Sequence, residues 1–258
     1  MSLPPPLADL PWYTLAAIPL IVAIGYTMFG ATGFGSSIVS VPLLAHIFPV
    51  AFTVALSTSL DAFAAAGASV RLRRNVAWPE FRRLMVPALI GMALGATLVV
   101  KLPASIALGA LGVFVGSYGT YLLLGPRSLR RAPTWLAWPI GLVGGVFSMM
   151  FGTGGPVYMV FLSARIHDKA TLRATSATIV AMSVWTRLAL FIVAGVLLQP
   201  ALLLLAAAML PVMLLGVRLG NRLHHRLSGA GVLRLIAILL VVNGVSLIAR
   251  ALATAHGA

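Results

Sequence analysis

Long apolar runs, broken by short polar segments, dominate the sequence. A bilayer core about 30 Å thick needs about 20 apolar residues in a helix that rises 1.5 Å per residue. Eight runs approach or meet this length, and each predicts a transmembrane helix. They cover residues 13–29, 53–70, 84–100, 104–124, 135–151, 174–198, 201–217 and 232–248.

Two shorter apolar stretches, residues 34–50 and 155–164, are interrupted by glycine or proline and predict half-helices or re-entrant segments. The first residues contain no basic segment before the first apolar run, so we expect that run to be a retained helix and not a signal peptide. The pattern therefore predicts an all-α integral membrane protein with 8 to 10 transmembrane segments and broken helices.

Composition agrees with a membrane protein and argues against an enzyme. The chain is 60% hydrophobic and 9% charged, which excludes an ordinary soluble domain. With 0 Cys, it has neither disulfides nor thiolate metal ligands. The sequence lacks zinc-protease, P-loop and nucleophile-elbow motifs, and it has only four acidic residues. We therefore expect no catalytic residues, no metal and no cofactor.

Positive charge is concentrated in short segments between the apolar runs. The net charge is +14, from 18 basic and 4 acidic residues. Because cytoplasmic loops of membrane proteins are rich in Lys and Arg, these segments predict cytoplasmic loops of a bacterial inner-membrane protein. They are too short to form a nucleic-acid-binding face. The basic residues in question are Arg71, Arg73, Arg74, Arg82, Arg83, Arg127, Arg130, Arg131, Arg165, Lys169, Arg173, Arg218, Arg222 and Arg226.

Two parts of the chain resemble each other. Residues 21–70 align without gaps to residues 140–189, and the glycines of the broken stretches coincide in this alignment. The chain is therefore interpreted as two transmembrane repeats in one membrane domain, residues 1–133 with the linking loop and residues 134–258. The most informative matches pair Gly25 with Gly144, Gly33 with Gly152, Gly35 with Gly154 and Ser57 with Ser176.

The basic segments of one half align with segments of the other half that carry little or no charge, a relation that we call opposite charge parity. Under the alignment, the basic loop 71–83 corresponds to the uncharged segment 190–202, and the connection at Lys101 corresponds to the basic segment 218–226. An odd number of crossings per half, five plus five, explains this parity and predicts inverted repeats, the plan of many secondary transporters. If the broken stretches only enter the membrane and return to the same side, the number of crossings falls to eight. The two halves would then run parallel, and the charge pattern would not be explained.

The broken stretches are the candidate binding site. A helix that restarts after the glycines presents free N–H groups and a partial positive charge, and two such ends that converge form an anion site. The alternative is that small residues only allow close helix packing. The candidate substrate-binding residues here are Gly33, Phe34, Gly35, Ser36, Ser37, Gly152, Thr153, Gly154, Gly155 and Pro156.

Other polar residues lie inside predicted spans. Asp61 is a candidate proton-coupling carboxylate, or a static partner for Arg187 or nearby hydroxyls. Arg187 is a candidate oxyanion ligand, or a structural or interfacial charge. The hydroxyls of Ser57, Thr58 and Ser176 are candidate donors to the substrate, although such hydroxyls often bond to their own helix backbone.

The paired segments Gly30 to Leu44 and Gly152 to Leu162 resemble those of the sulfite exporter TauE/SafE family of membrane permeases. The resemblance covers nearly the whole chain and implies transport of a small anion such as sulfite, a sulfonate or sulfoacetate, in either direction. The chain departs from the family pattern at Ser36 and Ser37, where a further glycine is common, and at Phe161, where a proline is common.

These observations predict a secondary transporter that moves a small anion across the inner membrane, with Asp61 as the candidate coupling group. The expected partners are the small anionic substrate and the lipid bilayer, without nucleic acid. The sequence makes no prediction about the oligomeric state. The alternative function is an anion channel in which the same broken stretches form a fixed constriction.

Overall fold

The described part of the protein is entirely helical. The computed structural model describes residues 11–32, 35–72, 75–125, 132–195, 197, 199–223 and 229–256. These residues form ten α-helices and no strand. The helices are α1 Trp12–Thr32, α2 Ser36–Leu44, α3 Val50–Leu72, α4 Trp78–Lys101, α5 Ala104–Leu123, α6 Ala137–Phe151 (after a 3-10 turn, Thr134–Leu136), α7 Gly154–Arg165, α8 Lys169–Val193, α9 Pro200–Leu223 and α10 Gly229–His256.

Seven of the described helices are long and apolar enough to cross a membrane, namely α1, α4, α5, α6 with its preceding turn, α8, α9 and α10. They coincide with seven of the eight predicted runs. The remaining run lies in α3, whose apolar part, Val50–Ala66, is shorter. The prediction of an all-helical, multi-pass membrane protein is therefore confirmed.

The two broken stretches form the short helices α2 and α7. With 9 and 12 residues, they are about 13 and 18 Å long, too short to cross the bilayer core. Each packs back on the helix before it. A Cβ atom on Gly25 of α1 would lie 3.0 Å from the Ser36 carbonyl oxygen of α2, and one on Gly154 of α7 would lie 2.7 Å from the Gly144 carbonyl oxygen of α6.

The α6–α7 pair is a hairpin that begins and ends at one face of the helix bundle. At the end of α7, Arg165 donates a hydrogen bond of 2.9 Å to the carbonyl oxygen of Ala132, which precedes α6. The α1–α2 pair, joined through three residues, has the same form. The broken stretches therefore return the chain to the face from which each hairpin started.

Glycines allow the long helices to pack with their backbones in contact. The pairs α1 with α9, α4 with α6 and α5 with α10 lie along one another. A Cβ atom on Gly112 would lie 2.8 Å from the carbonyl oxygen of Gly244, and one on Gly220 would lie 2.9 Å from Cα of Gly30. Such small-residue contacts stabilise helix pairs in membranes, where the burial of apolar surface contributes little to helix association.

One end of the bundle carries most of the described ion pairs, and we call it the basic face. Glu80, near the start of α4, pairs with Arg83 at 2.8 Å and with Arg165 at 2.9 Å. Asp168 caps the start of α8, where its side chain accepts a hydrogen bond from the Thr171 N–H. Hydrogen bonds from the side chain and the backbone of Thr171 hold the pKa of Asp168 below its usual value. Of the predicted basic segments, residues 73–74, 126–131 and 224–228 lie outside the described residues.

At the opposite end of the bundle, which we call the opposite face, Arg250 of α10 links to the end of α2. Its Nη1 donates to the carbonyl oxygens of Ala45 at 3.1 Å and His46 at 2.9 Å. A cation at the carboxyl end of a helix interacts favourably with its unpaired carbonyls. This contact fixes the far end of α2, so its first turn is held in the middle of the bundle.

Candidate functional site

The two chain breaks meet at Arg187. Gly35 precedes α2 with φ of 97°, and Gly152 follows α6 with φ of 72°, both in the left-handed region that favours glycine. Gly152 lies directly against the first turn of α2. A Cβ atom there would lie 2.9 Å from Cβ of Ser37 and 3.1 Å from Nη1 of Arg187. The predicted convergence of the two glycine segments is therefore present in the structure.

Both short helices present uncapped first turns at this point. The N-cap residues Gly35 and Thr153 make no side-chain capping hydrogen bond, and the first N–H groups of a helix have no partner within the helix itself. These groups and the helix dipole give each end a partial positive charge. Two such ends add partial positive charge beside the Arg187 guanidinium, inside the bundle.

The carboxylate of Asp61, in the middle of α3, occupies the amino end of α2. Its Oδ1 accepts hydrogen bonds from the hydroxyls of Tyr26 and Ser36, both at 2.7 Å. Its Oδ2 accepts from Ser37 at 2.8 Å and from Nη2 of Arg187 at 3.4 Å. The carboxylate thus lies beside the first turn of α2, where the hydroxyls of Ser36 and Ser37 hold it, and both of its oxygens accept hydrogen bonds.

Arg187, on α8, bonds to two other helices, α3 and α6. Besides Asp61, its Nε donates to the Thr58 hydroxyl at 2.6 Å, and its Nη1 donates to the Ser148 carbonyl oxygen at 2.6 Å. Arg187 is 1% exposed and Asp61 is 4% exposed. A guanidinium has five N–H donors, and these three hydrogen bonds to described residues engage one on each nitrogen. Arg187 can therefore hold the site together and still offer donors to a ligand.

A small cavity of about 30 Å³ lies at this junction. This volume suits one or two water molecules and is too small for a four- or five-atom oxyanion, so substrate binding requires the surrounding helices to move. The lining comprises Phe29, Gly35, Ser36, Ser37, Ile38, Asp61, Ala65, Ser148, Gly152, Thr153, Gly154, Gly155, Pro156, Tyr158, Ala177, Val180, Ala181, Ser183, Val184 and Arg187.

Several hydroxyls at this cavity are buried without a well-formed hydrogen bond. Thr153 Oγ1 has no partner among the described residues. The Tyr158 hydroxyl lies beside those of Ser148 and Ser183, but neither Tyr158 nor Ser183 makes a hydrogen bond of good geometry. Because buried polar groups are nearly always hydrogen-bonded, a water molecule or a polar ligand in the cavity would satisfy these groups.

The structure brings most of the predicted site residues to the cavity and leaves a few outside its lining. Thr58 lies behind Arg187 and bonds to both Arg187 and its own Val54 carbonyl oxygen. Ser57 is buried, and its carbonyl oxygen accepts from the Tyr26 hydroxyl. The Ser176 hydroxyl donates to the Arg173 carbonyl oxygen at 3.1 Å. The predicted residues Gly33 and Phe34 lie outside the described residues.

Sequence reasoning missed four polar residues at the site, namely Tyr26, Ser148, Tyr158 and Ser183. Each is a polar residue inside an apolar run, which was the one available signal. That signal is weak, because Ser and Tyr are common in membrane helices and often bond locally. The contact between Tyr26 and Asp61 joins residues 35 positions apart, and only the tertiary structure shows it.

Comparison with known proteins agrees with this architecture. The profile of the family described as Sulfite exporter TauE/SafE matches residues 17–247, nearly the whole chain. The chain belongs to this family. It is also 27% identical over 175 residues to a protein of Comamonas testosteroni named "Probable inner membrane transporter protein TsaS", covering 67% of this chain and 73% of that protein. No solved structure gives a significant match.

Family membership confirms the resemblance expected from the glycine segments and establishes a multi-pass membrane transporter, not an enzyme. A transporter family implies a transported substrate and a membrane environment. Within the described residues, no group of three or more His, Asp or Glu side chains could hold a metal ion.

We expect Asp61→Asn to lower the thermal midpoint in detergent by on the order of 10 °C, because it leaves the buried Arg187 cation without its counter-ion. The double variant Asp61→Asn/Arg187→Gln should recover part of this loss, since it removes both charges. Arg83→Gln is the control, because Arg83 is 45% exposed in its ion pair and such pairs contribute little. An Asp61→Asn midpoint equal to that of the control would contradict a tightly coupled buried pair.

Proposed function

We propose that this protein is an inner-membrane secondary transporter for a small anion such as sulfite or a sulfonate. The observation that carries the proposal is the buried junction of Arg187, Asp61 and two helix amino ends. Arg187 offers a fixed positive charge, and the helix ends offer N–H donors without added net charge. The inner-membrane location and transport role are also those in the name of the relative from Comamonas testosteroni.

The substrate residues we propose are those of the two chain breaks together with Arg187. In the first break they are Gly33, Phe34, Gly35, Ser36 and Ser37, with Ser57 and Thr58 on the next helix. In the second break they are Gly152, Thr153, Gly154, Gly155 and Pro156, with Ser176 on the next helix. The support differs among them, since Ser57, Thr58 and Ser176 do not line the cavity and can act only after the helices rearrange.

We propose that the two halves, residues 1–133 and 134–258, are inverted repeats. The pairwise packing supports this assignment. If α1 to α5 correspond in order to α6 to α10, then the pair α1 and α9 corresponds to α6 and α4, and both pairs pack closely. In the pairs α5 with α10 and α3 with α8, each helix packs against its own counterpart in the other half. Each half then has one hairpin and three crossings, not the five crossings expected from the sequence, because the two helices of each hairpin together return the chain to its starting face. Three is also an odd number, so the two halves would still point in opposite directions.

Asp61 suggests how transport could be coupled to protons. The carboxylate competes with any substrate anion for Arg187 and for the amino end of α2. When Asp61 takes up a proton, the junction gains one positive charge and can accept an anion in its place. Proton and anion would then move together, as in a symporter.

Flux measurements in proteoliposomes test the transporter proposal against a channel. We expect labelled sulfite or a small sulfonate to enter saturably, and to exchange for unlabelled internal substrate faster than it enters by net flux. Sulfate and thiosulfate are the comparison anions. A channel with a fixed constriction would show neither saturation at modest concentration nor accelerated exchange. If the folded protein moved none of these anions, the proposed substrate class would be wrong.

Thr153→Val tests whether the site lies at the cavity. The Thr153 hydroxyl has no partner in the described part of the chain, so its removal should leave the thermal midpoint unchanged or slightly raised. If it donates to the substrate, the KM for transport should rise about tenfold. Thr97→Val is the matched control, because Thr97 is remote and bonds to its own helix at Leu94. An unchanged KM in Thr153→Val would argue against anion binding by this hydroxyl.

Asp61→Asn tests the coupling. With a sulfonate as the probe, the charge of the substrate stays constant with pH, so any pH effect belongs to the protein. We expect the wild type to accumulate the sulfonate when the outside is more acidic. Asp61→Asn should retain exchange but lose accumulation, because Asn resembles the protonated acid and cannot release a proton. Undiminished gradient-driven accumulation in Asp61→Asn would rule out Asp61 as the coupling group.

A further inference from the structure

A second and much larger cavity, of about 530 Å³, opens at the opposite face of the bundle. It lies where α2 and α4 end and where α3 and α5 begin. Its lining is mostly apolar, with Gln199, Arg250 and Thr254 as the polar exceptions. The remaining lining residues are Ala45, Ile47, Phe48, Pro49, Val50, Ala51, Phe52, Val99, Leu102, Ala104, Ala107, Leu108, Met150 and Phe151.

The larger cavity and the central cavity share no lining residue, but neighbouring residues of the chain line the two. Phe151 lines the larger cavity, and the next residue, Gly152, lines the central one. On α3, Phe52 lines the larger cavity and Asp61 the central one, and nine residues of helix separate them by about 13 Å. The two cavities therefore follow each other along the helix bundle.

Two buried phenylalanines of the larger cavity, Phe52 and Phe151, lie on the helices that also reach the central cavity. Phe151 is 1% exposed and Phe52 is 6% exposed, so both rings are packed although they border the larger cavity. The rings of Phe48 and Phe52 lie 5.1 Å apart, and those of Phe147 and Phe151 lie 5.7 Å apart. Phe151 is also the last residue of α6, joined to the left-handed Gly152. It is thus placed where the α6–α7 hairpin turns.

The charge of the larger cavity suits an anion. Among the described residues that line it, Arg250 is the one charged residue, and none carries a carboxylate. A low-dielectric cleft with charge of a single sign concentrates counter-ions and raises their rate of entry. Its volume is also large enough for an anion with several water molecules, which the central cavity does not admit.

We propose that the larger cavity is the vestibule through which the anion reaches the central site from the opposite face, and that the Phe151 ring is the barrier between them. The inference rests on the proposed transport function for the nature of the ligand. The route itself follows from the two cavities and the side chain between them. Movement of the hairpin turn at Gly152 would withdraw the ring and join the two spaces.

Cysteine labelling tests the route, because the chain has 0 Cys and each introduced thiol reports alone. Ala107→Cys places a thiol in the vestibule and Ala181→Cys places one in the central cavity. The probe is a membrane-impermeant sulfonatoethyl thiosulfonate reagent, added to the opposite face of oriented membrane vesicles. We expect rapid labelling of Ala107→Cys and slow labelling of Ala181→Cys in the otherwise unchanged protein.

Removal of the Phe151 ring should change the labelling rate only in the central cavity. In combination with Phe151→Ala, labelling of Ala181→Cys should accelerate at least tenfold, while that of Ala107→Cys should stay within about twofold. Phe147→Ala is the matched control, since it removes the same ring one turn away on α6 but borders neither cavity. Phe151→Leu provides a milder replacement if Phe151→Ala folds poorly, and it should give an intermediate rate.

Two results would overturn the inference. One is an equal acceleration of Ala181→Cys by Phe147→Ala and Phe151→Ala, and the other is labelling of Ala181→Cys only from the basic face. The labelling needs no transport, so its outcome is separate from that of the flux measurements. If the barrier behaves as expected but no sulfur anion is transported, the route stands and the proposed substrate fails.

Discussion

The structure depends on one pair of opposite charges buried inside a helical membrane bundle. A lone charge at that depth is costly, and burial of Asp61 or Arg187 alone would oppose the fold. Together, and with the hydroxyls of Tyr26, Ser36 and Ser37, they satisfy each other. The pair also joins α3 to α8, and its further hydrogen bonds reach α1, α2 and α6. The mutual neutralisation of these two buried charges therefore helps to fix the positions of the helices that carry the chain breaks.

Close helix packing provides the frame that makes this junction possible. The glycine contacts at Gly112 and Gly220 bring long helices together along their backbones. Each hairpin places the amino end of a short helix inside the bundle, where a complete helix would offer no free N–H groups. The far end of α2 is held by Arg250. The far end of α2 is thus fixed, while its amino end lies at the junction with Asp61 and Arg187.

The net charge of the central site is close to zero, and this limits how a substrate anion can bind there. Asp61 already balances Arg187, and the central cavity has room for little more than water. A substrate anion must therefore compete with an internal carboxylate and also displace packed side chains. Both requirements favour a carrier that rearranges in each cycle over a permanently open pore, and both place the control of transport at a few side chains near the hairpin turns.

The sequence by itself determined the membrane class, the position of nearly all long helices and the family. Length and hydropathy decide these features locally, and paired glycines show where helices break. It also pointed to Asp61 and Arg187, since charges inside apolar runs are rare. The sequence could not show that these two residues, 126 positions apart, bond to each other, nor that Tyr26 and Ser148 join them. Those contacts depend on how the helices rotate and cross, which interactions between distant parts of the chain decide and which only the tertiary structure reveals.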